Sequence, residues 1–119
     1  MNIKSLSSGL LYRGEVEAKR QTYYVFEARR HFFVMSFARA KRGSGNFTTV
    51  DADAVDYVAK KFEGRKALTS TEVLNESRKP QHISSTLDAL NALYILVAIR
   101  RAKIDSRFHN KRLFFNIKG

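Results

Sequence analysis

Residues 83–99, ISSTLDALNALYILVAI, and residues 100–118, RRAKIDSRFHNKRLFFNIK, decide how this chain folds. The first stretch begins with Ser85-Thr-Leu-Asp88, a hydroxyl and a carboxylate spaced as in a capping box, and predicts a helix from Ser84 to about Val97. The second alternates in its return limb, with Leu113, Phe115 and Ile117 on one side, and predicts a basic two-stranded hairpin. Upstream, Thr69-Ser-Thr-Glu72 is a second capping box and opens a short helix that ends before Arg78, Lys79 and Pro80. Further back, Asp51 stands where an N-cap belongs. Val55, Val58 and Phe62 follow at helical spacing, and Glu63–Gly64 gives the stop.

Before Asp51 the signals change to strand. Tyr12, Gly14, Val16 and Ala18 alternate with Arg13, Glu15, Glu17 and Lys19. Thr22–Ala28 and Phe32–Phe37 are rich in aromatic and β-branched residues, and polar clusters separate the runs. These predict a three-stranded antiparallel meander, with a helix through Arg29–Ala40 as the competing reading. A basic glycine-rich loop, KRGSGN at 41–46, leads to a short strand at Phe47–Val50. The expected fold class is α+β in a single domain, residues 1–119. An N-terminal β extension over 9–50 precedes three helices and a hairpin over 51–118.

Composition narrows the function. The chain has 119 residues, 44% of them hydrophobic, so it can bury a core without staples. It has no cysteine, which excludes a disulfide framework and thiolate chemistry. Met1–Tyr12 lacks the apolar core of a secretory leader, and the longest apolar run, Ala92–Ile99, is too short to span a bilayer. The expectation is a cytoplasmic protein with no membrane partner. Its net charge is +11, and the excess is uneven. Residues 1–50 hold nine Lys/Arg against three Asp/Glu; residues 51–99 hold six against seven; residues 100–119 hold seven against one. Two basic zones flanking a near-neutral centre favour a polyanionic partner.

With helix, helix and basic hairpin in this order, residues 51–118 resemble the winged helix-turn-helix superfamily. The matching text is DADAVDYVAKKF, LTSTEVLNES, ISSTLDALNALYILVAIRRAKID and KRLFFNI. The resemblance implies double-stranded DNA as partner, with the N-terminal end of the third helix in the major groove. Ser84, Ser85, Thr86, Asp88 and Asn91 are then its exposed candidates. Leu87, Leu90, Leu93 and Ile99 fill the apolar slots. Arg107, His109, Lys111 and Arg112 surround the wing tip and meet phosphates. Arg78, Lys79 and Gln81 lie near the backbone path, and Lys41 and Arg42 in the glycine-rich loop offer a further phosphate contact.

The third helix holds no Lys or Arg, so base reading through arginine–guanine pairs is absent from it. The expected function is therefore sequence-nonspecific or weakly specific duplex binding, with a transcriptional or architectural role. The apolar run Ala92–Ile99 needs cover on most sides, from the N-terminal sheet or from a second chain. Two alternatives remain. One is RNA or single-strand binding through an aromatic-basic sheet, which requires Tyr24 and Phe26 to be exposed. The other is a docking or homodimer module that buries Leu96 and Ile99 between chains.

No enzyme chemistry is expected. His31, His82 and His109 lack ligand spacing. Glu15-Val-Glu17-Ala-Lys19 has the E-x-K spacing of metal-dependent nucleases, but no acidic residue precedes Glu15. No cofactor, metal or small-molecule ligand is predicted.

Overall fold

The computed structural model describes residues 10–18, 21–38, 45–105 and 113–119. Four strands come first: β1 (Leu11–Glu17), β2 (Gln21–Ala28), β3 (His31–Ala38) and β4 (Gly45–Asp51). They form one antiparallel meander in the order β1-β2-β3-β4. The segment at Phe47–Val50 is thus the fourth strand of the same sheet, longer than expected, and the helix considered over Arg29–Ala40 does not form. A tight turn joins β2 to β3, with Arg30 at φ 66°.

Residues of alternate parity share a face of such a sheet. Val16, Val25, Phe32, Val34 and Ser36 are buried on the face that meets the helices. The simple alternation read along β1 is broken: its register with β2 shifts between Tyr12 and Gly14. Tyr12 consequently lies with Phe26 on the opposite face, where their rings meet edge to face at 5.5 Å.

Three helices follow: α1 (Ala52–Lys61), α2 (Ser70–Glu76) and α3 (Thr86–Ala98). Asp51 precedes α1 but makes no side-chain cap. Its carboxylate instead meets His31 Nε2 at 2.9 Å across the β3–β4 pair. Thr69 forms the full capping box: its hydroxyl accepts from Glu72 N–H at 3.1 Å, and Glu72 Oε1 accepts from Thr69 N–H at 3.0 Å. At α3 the expected box is modified. Ser85 accepts from Asp88 N–H at 3.0 Å, but the Asp88 carboxylate accepts from the Ser84 N–H at 3.1 Å and hydroxyl at 2.7 Å.

A two-stranded sheet closes the chain: β5 (Ala102–Ile104) pairs antiparallel with β6 (Phe115–Ile117). Leu68, between α1 and α2, makes an isolated bridge to Phe115. Leu68 and Phe115 are wholly buried, so this bridge locks the hairpin under the helices. Leu113 is half-buried, and Ile117 is buried with Phe115 as the alternation predicted.

One hydrophobic cluster links sheet, helices and hairpin, and α3 is its spine. From Ala89 to Leu96 all residues but Leu90 are buried. One side of α3 packs on α1 and α2, and the other on the four-stranded sheet. At Gly14 a Cβ would come 3.2 Å from the Ala98 carbonyl oxygen, and Gly14 has φ +148°. Glycine there lets β1 close onto the C-terminal end of α3.

Candidate nucleic-acid interface

The end of α3 shapes the first basic group. Ile99 is the C-cap, and Arg100 takes a left-handed φ of 65°. Arg100 N–H donates to Val97 O at 3.1 Å, and Arg101 N–H to Leu96 O at 2.8 Å. These two bonds are a Schellman motif, with arginine where glycine is usual. The turn feeds β5, and Lys118 N–H donates to Arg101 O at 3.0 Å. Arg100, Arg101, Lys103 and Lys118 are thereby gathered, all exposed, at the base of the hairpin. Arg101 meets Asp56 at only 3.8 Å, and the other three have no carboxylate partner among the described residues.

Arg78, Lys79 and Gln81 are exposed in the loop between α2 and α3. Lys79 Nζ lies 6.0 Å from the centre of the Tyr57 ring. This loop and the hairpin base lie at opposite ends of α3, roughly 20 Å apart for thirteen residues of helix. The loop and the hairpin base are therefore two separate groups rather than one patch, and Arg29, Arg30, Lys60, Lys61 and Lys66 are exposed besides them. Two cations are neutralised: Arg65 pairs with Glu76 at 2.8 Å and Arg13 with Glu27 at 3.2 Å. Arg65 and Glu76 stabilise each other's charges, so the Glu76 carboxyl is held below its usual range.

The residues expected to read bases fare differently. Ser84 and Thr86 are exposed and Ser85 is half-buried, but the Ser84 and Ser85 hydroxyls are already engaged in capping. Asn91 is 4% exposed and faces the sheet, so it does not present its amide to a base edge in the major groove. Leu87, expected in the core, is 61% exposed. The side of α3 that would enter a groove is covered by β1–β4, and only its first turn is open. Cover for Ala92–Ile99 comes from the chain's own sheet. Leu96 is wholly buried in a single chain, which removes it from the expected interface between copies.

The open face of the sheet also departs from expectation. Phe26 is buried, Tyr24 is half-buried, and Phe47 is the large apolar residue there that stands well exposed. Phe33 stacks on Phe47 with ring centres 5.5 Å apart. A row of free stacking rings, as single-strand binding requires, is not what these side chains make.

The remaining candidates, Arg107, His109, Lys111 and Arg112, expected at a wing tip, and Lys41 and Arg42, expected in a glycine-rich loop, lie outside the described residues. Missed by the sequence reading were Arg100, Arg101 and Lys103 as a group. Their spacing stands in the sequence, but which face of the hairpin they share depends on how β5 pairs with β6. Among the described residues no cluster of His, Asp and Glu could hold a metal ion, and no helix is long and apolar enough to cross a membrane. No known protein family, curated protein or solved structure matches this chain.

Proposed function

We propose that residues 51–118 form a winged helix-turn-helix and that the chain binds duplex DNA chiefly through phosphates, with little base reading. The observation that carries this is the exposed Arg100–Arg101–Lys103–Lys118 group at the hairpin base. It continues in sequence into the basic stretch Arg107–Arg112. The order α1, Leu68 bridge, α2, α3, β5, β6 supports the winged-helix part, because the bridge supplies the third strand to which a wing is anchored. Burial of α3 supports the weak base reading. A major groove about 12 Å wide admits a bare helix, not one clasped by a four-stranded sheet. Sequence-independent contacts then dominate, and each phosphate neutralised releases counterions.

Fluorescence anisotropy on labelled duplex DNA, single-stranded DNA and double-stranded RNA tests the reading. Changing Arg101, Lys103 and Lys118 together to Ala should weaken duplex binding at least tenfold and flatten its salt dependence. Unchanged duplex affinity removes the hairpin base from the interface. A preference for single strands or RNA overturns the choice of partner.

A further inference from the structure

Between the sheet and the first half of α3 lies a cleft of about 180 Å³. Its helical wall is Leu87, Leu90, Asn91 and Tyr94, which share one face at three- and four-residue spacing. Val34 and Ser36 from β3 and Phe47 and Thr48 from β4 form the other wall, and Tyr23 closes the end. Tyr23 and Tyr94 stack with ring centres 4.2 Å apart. Burial, foremost, pushes the Tyr94 pKa up, so this hydroxyl stays neutral.

Two features of the cleft do not fit a passive seam. Asn91 is 4% exposed and Ser36 is 2% exposed, yet neither side chain has a hydrogen-bond partner among the described residues. Neither belongs with the fully enclosed unpaired atoms, which are Ser77 Oγ and His82 Nδ1, so their polar atoms open into the cleft. An amide opening only into a narrow cleft is satisfied by what enters that cleft, and an apolar residue would serve packing better. At the rim, Leu87 is 61% exposed, the largest exposed fraction of any large apolar side chain among the described residues.

We infer that this cleft receives a single planar nucleobase, adenine fitting best, between apolar walls. The Asn91 amide would meet the donor–acceptor edge of the base. An amide carries a donor beside an acceptor and pairs in bidentate fashion with adenine N6 and N7. Size points the same way: pockets for drug-sized ligands run roughly 300–1,000 Å³, so this one takes one ring system. Ser36 and Thr48 supply hydroxyls for the remaining edge. A free nucleoside and an unpaired base in a strand offer the same chemistry. The inference borrows from the proposed function only the likelihood that bases are at hand.

The test is two-dimensional NMR of the full chain with adenosine at millimolar concentration and with ribose 5-phosphate as control. The Asn91 side-chain amide and Tyr94 signals should shift with adenosine and not with the control. Asn91→Leu removes an unpaired amide and should leave the fold intact while weakening adenosine binding at least tenfold. Ser36→Ala, a milder change, should weaken it several-fold. Duplex affinity should be unaffected by either, which separates this cleft from the hairpin base. A duplex carrying one unpaired adenosine should bind the unmodified chain more tightly than the fully paired duplex if the base comes from a strand, and equally if it comes free in solution. Absence of adenosine shifts, or identical shifts in Asn91→Leu, overturns the inference whatever the chain does with duplex DNA.

Discussion

Arg100 sits in a backbone conformation that glycine adopts without cost. A side chain in the left-handed region costs on the order of 1 kcal/mol, and two Schellman hydrogen bonds hold it there. Arg100→Gly should therefore raise stability by about 1 kcal/mol, which moves the melting temperature up by roughly 4 °C in a chain of this size. The same change should lower duplex affinity and reduce the salt slope by about one phosphate contact. Thermal melts and salt-titrated anisotropy on one protein sample read both. A lower melting temperature would show instead that the Arg100 side chain holds the groove it shares with Leu11 and Ile99. Tyr12 offers a separate test. Burial first, then its hydrogen bond to Glu15 at 2.8 Å, raises its pKa from 10.0 to about 12. A folded-state pKa above the unfolded one means the stabilisation is complete below pH 10 and is lost as pH rises through about 12. Alkaline denaturation followed by tyrosine absorbance should show a larger loss in the native chain than in Tyr12→Phe, in which the buried Tyr94 still titrates late.

At the scale of elements, the sheet and α3 depend on a single close approach. An alanine Cβ at Gly14 would press on the Ala98 carbonyl and would hold a φ that side chains rarely adopt. Gly14→Ala should cost about 1–3 kcal/mol in urea unfolding, with β1 amides losing hydrogen-exchange protection first. A neutral substitution would mean that β1 does not clamp α3. This contact also marks where the sequence stops being informative. The capping box at Thr69 and the N-cap at Ser85 were readable because a cap is local, its donors and acceptors lying within three or four residues; that Asp88 would turn to Ser84 instead of closing the second box was not. The register shift after Tyr12 was not, because Arg13 and Gly14 alternate on paper as if the strand were regular. Leu87 and Asn91 were exchanged for a related reason. Helical spacing places both on one stripe, but only the position of the sheet decides which is covered, and it ends short of Leu87. A polar residue on an apolar helix reads as exposed, whereas Asn91 faces a cleft.

For the whole molecule, what matters is that α3 has two covers. The apolar run Ala92–Ile99 demanded them, and the chain supplies the second from its own N-terminal sheet. That arrangement leaves the hairpin base and the α2–α3 loop as open basic surfaces at opposite ends of the helix. On the proposed reading, it favours gripping the phosphate backbone over reading bases. The basic zones were evident in the sequence as charge. Their relation to α3 was not, since it depends on which face the sheet covers.

The most direct measurement is the dissociation constant on a panel of duplexes of equal length and unrelated sequence, at low and physiological salt. A phosphate-gripping surface predicts constants within a few-fold across the panel, with a steep, shared loss of affinity as salt rises. A strong preference for one sequence with a shallow salt slope would mean that bases are read directly, and the account of α3 as a buried spine would be contradicted.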